Sequence, residues 1–285
     1  MNVTAFLQVF VNGLEMGLLY ALIALGFSLI YGVGRIMFCT HGEVYMVGAM
    51  SSYFLTMKLG LPFPLVLILV ALGTGVFGLI IERFLFRQLR GNDFAIFVVS
   101  LALAMLVINL FSEVLGTVPV RTEELFPGGI APMGVNLSIN KLIVALISGG
   151  LILGAHFFFQ RVKIGQSLRA VAQDPEAAAL QGISINKTVS LTFFISLALT
   201  GITGALVASV FVVSTGIGGA ALLNTFVVVI LGGIGSFPGA IAGGIFLGIL
   251  HGVGGLFLGK FTYLISFVVV IIFLIVRPQG FFGQE

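Results

Sequence analysis

The sequence predicts an all-α integral membrane protein, a polytopic helix bundle of about nine spans forming one domain over residues 1–285. Three observations predict it. Charged residues make up 8% of the chain and apolar residues 59%, with a mean hydropathy of +1.23, whereas soluble domains carry about 25% charged residues. So little charge cannot clothe a water-facing surface, and most of the exterior must face lipid. The apolar residues fall in continuous runs close to the roughly 20 residues that cross a hydrocarbon core, without the alternation of a barrel strand. The basic residues collect in short connections between those runs, which is how a bilayer protein fixes its orientation.

In order, the runs lie at 6–34, 36–58, 62–81, 94–115, 141–160, 188–213, 222–235, 239–257 and 261–276. The seventh is short and ends in glycine, and simple hydropathy merges it with the eighth to give eight spans. Charge separates them. The connection 82–93 holds Arg83, Arg87 and Arg90, and 161–187 holds Arg161, Lys163, Arg169 and Lys187; both belong on the cytoplasmic side. The stretch 112–140 sets Glu113, Glu123 and Glu124 against Arg121 and suits the outside. Three runs before 82–93 place the N-terminus outside. The tail Arg277-Pro278-Gln279-Gly280 is basic and belongs inside, so an even number of crossings must follow 161–187, and 222–235 counts as its own span.

Composition also excludes. The net charge of +3 reads as orientation and not as nucleic-acid binding. Cys39 is the one cysteine, so no intrachain disulfide forms. The first run lacks a basic leader and reads as a retained span, not a cleaved signal. There is no Gly-x-x-x-x-Gly-Lys-Ser/Thr phosphate loop, hence no fused nucleotide-binding domain. His41, His156 and His251 lie far apart and no Cys or Asp joins them, so no metal site is expected. No nucleophile–base constellation suggests an enzyme.

The most informative stretch is the connection 165–182. Asp174 can cap a helix whose first residue is Pro175. Glu176 in the first turn suits the helix dipole, and Gly182 supplies a left-handed stop. The expected helix has about two turns of mostly small residues. It would be marginal alone in water and makes sense docked in a groove of another protein, with Arg169 and Glu176 as polar anchors; the alternative is a linker resting on the membrane, which its lack of a strong apolar face disfavours.

Ionisable residues at membrane depth are costly and face an interior, a wet cavity or a partner. Glu15, Tyr31, His41 and Glu43 in the first two runs, with Asn224 and Thr225 expected to open the seventh on its outer side, are candidate path residues. Two readings of His41 and Glu43 stand side by side: they shape the path or its gate, or they form a structural pair, with Arg35, that locks two helices at the inner rim. Gly32, Gly34 and Gly42 flank them and suggest an interrupted helix. Gly235, Gly239 and Gly243, and Gly244, Gly248 and Gly252, recur every four residues and form close-packing faces, within the subunit or at a seam between subunits. The segment Ile230-Leu-Gly-Gly-Ile-Gly-Ser-Phe-Pro-Gly239 cannot be continuous helix; it is a tight inner turn or a broken helix lining a cavity.

Glu176-Ala177-Ala178 followed after three residues by Gly182 resembles the EAA loop of ABC importer permeases. Tyr20-Ala-Leu-Ile-Ala-Leu-Gly-Phe-Ser-Leu-Ile-Tyr-Gly32, His41-Gly-Glu43, Arg169-Ala-Val-Ala-Gln-Asp-Pro-Glu-Ala-Ala-Ala179, Leu231-Gly-Gly-Ile-Gly-Ser-Phe-Pro-Gly-Ala240 and Arg277-Pro-Gln-Gly280 resemble landmarks of the branched-chain amino acid transporter permease family, in its LivH-type branch, over most of the chain. The residues before His41 read Phe38-Cys39-Thr40 in place of that family's Asn-Phe-Ala.

The resemblance implies an ABC importer permease fold in a bacterial inner membrane. It implies a homologous LivM-type permease as partner, two cytoplasmic ATPase subunits that hold ATP and Mg, and a periplasmic substrate-binding protein. No cofactor would be bound by this chain. The 161–187 connection would be the coupling loop, with Arg169, Asp174, Pro175, Glu176, Ala177, Ala178 and Gly182 as its contact residues. Because affinity changes would reside in those partners, no deep, strongly liganding pocket is expected here. Urea or short amides are rival solutes, and an ion-coupled secondary transporter, with Glu15 and Glu43 as its coupling carboxylates, is the rival class.

Overall fold

The computed structural model describes residues 3–122, 126–131, 136–277 and 279–282. Glu123, Glu124 and Pro278, which contribute to the charge and motif patterns, lie outside the described residues. In chain order the helices are α1 (Val3–Gly34), α2 (His41–Tyr53) continued by a π turn (Phe54–Lys58), α3 (Phe63–Phe84), α4 (Asp93–Leu115), α5 (Ile139–Arg161), α6 (Lys163–Gln173), α7 (Pro175–Leu180), α8 (Ile185–Ala208), α9 (Ile217–Gly232), α10 (Phe237–Leu258) and α11 (Thr262–Val276). A small antiparallel hairpin, β1 (Gly129–Ile130) on β2 (Leu137–Ser138), precedes α5.

Each apolar run carries one helix. Six of them, α1, α3, α4, α5, α8 and α10, are long and apolar enough to cross a membrane. The remaining three are shorter: α9 has 16 residues and α11 has 15, about 24 and 22 Å at 1.5 Å per residue, and α2 needs its π turn to reach Lys58.

The helices begin and stop for local reasons. Every proline among the described residues lies in a loop or in a helix's first turn, where its missing N–H costs nothing; α3, α7 and α10 each start this way. Residues 233–236 form a tight turn with Gly233 at φ +96° and Gly235 at φ +79°, capped by Ser236 on Gly239 N–H. Of the two readings of this glycine-rich segment, the turn is the one the structure adopts. Gly235 therefore does not share a helical face with Gly239 and Gly243: it turns the chain, and its Cα lies near Gly32.

The other five periodic glycines pack helix on helix inside the subunit. Gly244, Gly248 and Gly252 of α10 meet Ala21, Gly17 and Gly13 of α1, so closely that a Cβ on Gly252 would stand 2.7 Å from the Gly13 Cα. Gly239 and Gly243 close α10 onto Gly232 and the Val228 carbonyl of α9. Two further pairs, Gly48 on Gly201 and Gly204 on the Tyr45 carbonyl, bring α2 against α8. Small residues at such crossings let backbones touch and replace the hydrophobic drive that is absent in lipid.

Contacts gather the connections at two ends. At one end Lys141 reaches Asn12, the Gln8 amide bonds the Asn136 carbonyl, and Val120 bridges Val213. At the other, which carries Arg87, Arg90, Arg161, Lys163, Arg169 and Lys187, Arg90 reaches Asn186, Phe159 packs on Phe237, and the tail donates Phe281 N–H to Leu231 and Phe282 N–H to Gly232. Between α7 and this tail the chain passes four times, along α8, α9, α10 and α11.

Candidate translocation and coupling sites

The basic end carries a two-part projection. α5 and α6 are separated by Val162 alone, and Gly165 lets α6 fold back until a Cβ there would overlap the Phe158 carbonyl. Leu168 and Val171 of α6 are buried, Leu168 within the main core, while its polar face carries exposed Arg169. This amphipathic helix was not separated from the loop by sequence reading; its signal is the small and apolar stripe Gly165, Leu168, Val171.

α7 follows at once. Asp174 caps it, its Oδ1 accepting from the Glu176 and Ala177 N–H groups at 3.0 Å each, Pro175 is its first residue, and Gly182 leaves it at φ +82°. Its six residues make about 1.7 turns, close to the two expected. Ala178 is buried; Glu176, Ala177, Ala179 and Leu180 are exposed, Leu180 at 88%, the most exposed large apolar side chain among the described residues. Sequence reading missed Leu180 because a leucine in an apolar chain gives no signal until its setting is known.

Beside this projection sits a charged lock that sequence reading also missed. Glu82, 0% exposed, takes Arg87 through Nε and Nη2 at 3.3 and 2.8 Å, Arg90 at 2.5 Å and the Ser190 hydroxyl at 2.6 Å. Arg90 also donates to Asn186. The lock joins the end of α3 to the first turns of α8, directly after the α7 projection. A lone acid five and eight positions before two arginines was the available clue.

Deeper in the bundle, His41 and Glu43 part company. His41 is fully buried, with Nε2 3.0 Å from the Ile23 carbonyl and 3.1 Å from Thr200 Oγ1, and with the Phe27 ring edge-on at 5.5 Å. It ties α1, α2 and α8 together. Glu43 instead lies against Gly218 at the start of α9, and its Oε2 has no hydrogen-bond partner among the described residues. Arg35 is exposed, in the left-handed region at φ +51°, and makes no salt bridge with either among the described residues. The alternative in which Arg35 joins a lock is therefore not formed among the described residues; α1 runs unbroken to Gly34, and the interruption is the connection 35–40.

The other candidate path residues are dispersed. Glu15 of α1 pairs with Lys141 of α5 at 3.4 Å. Tyr31 stacks on Phe27 near the basic end. Asn224 and Thr225 do not open α9, which begins five residues earlier than the run because Gly218, Gly219, Ala220 and Ala221 add little hydropathy but are helical. Thr225 is buried with its hydroxyl on the Ala221 carbonyl, whereas Asn224 lines a cavity of about 170 Å³ with Tyr20 and Tyr45.

The branched-chain amino acid transport system permease component model matches residues 9–276. The chain belongs to this permease family. The permease is 32% identical to the high-affinity branched-chain amino acid transport system permease protein BraD of Pseudomonas aeruginosa, covering 98% of this chain and 96% of that one. It is 30% identical to the high-affinity permease proteins LivH of Salmonella typhimurium and of Escherichia coli, with the same coverage. Among solved structures, PsaBC from Streptococcus pneumoniae in complex with Fab matches 96% of the permease and 92% of its own chain with a TM-score of 0.55 at 16% identity, a likeness of fold.

Proposed function

We propose that this permease is the membrane subunit of an ATP-driven importer that moves branched-chain amino acids across the bacterial inner membrane. One observation carries the reading beyond family membership: at the basic end a capped, surface-displayed α7 stands on an α6 rooted in the core. Basic connections favour the cytoplasmic side, so the projection would meet cytoplasmic ATPase subunits holding ATP and Mg. A homologous second permease and a periplasmic binding protein complete the assembly.

In this reading Glu176, Ala177, Ala179 and Leu180 form the surface that enters the ATPase, with Asp174, Pro175 and Gly182 shaping it and Arg169 flanking it. Movement of α7 passes to α6 and to α8, and the Glu82 lock carries it on to α3. The path opens and closes among α1, α2 and α9, where Glu43 and Asn224 are. Tyr31 lies toward the cytoplasmic mouth.

The test is uptake of labelled leucine, urea and a short amide by proteoliposomes holding the complete importer. ATP-dependent leucine uptake is expected, with neither rival solute accumulating. In the Glu176→Lys, Gly182→Val double variant, ATP hydrolysis should persist while uptake falls about tenfold or more; uptake at the wild-type rate would remove α7 from the coupling role.

A further inference from the structure

We propose that the cavity beside α1 is the solute's resting site within the permease, its body holding the aliphatic side chain and the Glu15–Lys141 pair, in the groove next to it, holding the zwitterionic head. This rests on the transport reading above and assigns it a place. The cavity, about 170 Å³, has the volume of roughly five or six water-sized groups at about 30 Å³ each. That is room enough for an isopropyl or isobutyl group.

Its walls have the right chemistry in the right order. Met16, Leu19 and Ile23 supply one face from α1, and Val207 and Ile217 supply another from the ends of α8 and α9. Asn12 continues the same α1 face one turn further out, since positions 12, 16, 19 and 23 follow the four–three–four spacing of a single helical stripe. Lys141 Nζ reaches Asn12 Oδ1 at 3.3 Å and lies 5.9 Å above the ring of Phe211, which is itself part of the cavity wall. Lys141 and Asn12 themselves line a neighbouring groove with Gln8 and Asn136, so the Lys141 ammonium meets the cavity wall at Phe211 from that groove.

Opposite charge stands with it. Glu15 Oε2 is 3.4 Å from Lys141 Nζ, and Glu15 is only 5% exposed, yet its Oε1 has no hydrogen-bond partner among the described residues. An α-amino acid presents a carboxylate and an ammonium on one carbon. Lys141 offers a cation to the first and Glu15 offers its unpaired oxygen to the second, so the solute's head inserts into an ion pair that already exists. A neutral amide or urea gains much less from two full charges. Because each half of the head displaces part of the existing pair, binding is shallow, as transit requires.

The experiment changes the cavity and reads a ratio. Ala221 lines the cavity from α9; Ala221→Leu fills it. In proteoliposomes with the complete importer, wild-type uptake of labelled leucine, valine and alanine is measured first; an importer that moves none of them defeats the transport reading itself. Given wild-type leucine uptake, Ala221→Leu should lower the leucine-to-alanine uptake ratio about tenfold, and Ala221→Val should lower it less, with valine affected less than leucine. An unchanged ratio in both variants, whether or not total uptake falls, overturns the site while leaving the transport reading intact. The charge-exchanged variant Glu15→Lys, Lys141→Glu provides an independent check: a merely structural pair is restored by exchange, so recovery of leucine uptake to the level of the wild type would overturn the head-group assignment, and continued loss in a protein of normal yield supports it.

Discussion

The interior formed by α1, α2, α8 and α10 and the projection formed by α6 and α7 use small residues for opposite ends. In the interior, glycines face glycines and alanines across helices, and backbone rests on backbone. In α7, three successive alanines follow one another, and only Ala178 is covered. Close packing consumes small residues where the partner lies in the same chain; in α7 they stay uncovered, which is what the proposed docking to an ATPase needs. The interior is thus a single body, and the projection is, in the proposed function, its handle.

Four substitutions press on that contrast, in falling order of damage to the folded protein. Gly48→Val drives a branched side chain into the Gly201 backbone and should cost at least about 3 kcal/mol, seen as loss of monodisperse protein in detergent chromatography; a normal profile would show that α2 and α8 can separate. Leu168→Ala removes the root of α6 and should cost about 2–3 kcal/mol, read as a lowered thermal midpoint. If the midpoint held, α6 would be resting on the bundle and not rooted in it.

Glu82→Gln takes the charge from a buried carboxylate that two arginines and Ser190 engage. It should cost about 2 kcal/mol, with the partly exposed arginines recovering some loss in water, and should lower uptake per ATP hydrolysed. A destabilised permease with unchanged coupling would restrict the lock to a structural role. Leu180→Ser should shift the thermal midpoint by less than about 0.5 kcal/mol equivalent yet weaken ATPase retention in pull-down severalfold; undiminished retention would mean that Leu180 is not part of the handle.

Much of this arrangement was legible in the residues. Continuous apolar runs placed nine helices because lipid leaves the backbone few alternatives. The α7 cap was readable because Asp174, Pro175 and Gly182 act locally. What escaped depends on distant partners. His41 and Glu43 stand two residues apart and look equivalent in sequence, but Thr200 and the Ile23 carbonyl engage one while Gly218 faces the other. Of the two readings for this cluster, the one that included Arg35 does not hold for that residue, which is exposed at the end of α1 with φ +51°. The start of α9 was missed because glycine and alanine carry little hydropathy, and Lys141 because a basic residue near a span end reads as an orientation signal before it reads as a partner for Glu15.

The backbone bonds from Phe281 and Phe282 to Leu231 and Gly232 bear on the order in which the protein can be made. Carbonyls at the C-terminal turn of α9 wait for amides some fifty positions downstream, so that turn cannot be completed while α10 and α11 are still being synthesised. Until residue 282 has emerged from the ribosome, the hairpin of α9 and α10 must be held in the insertion machinery, or tolerated in lipid, with its corner at the basic end unsealed.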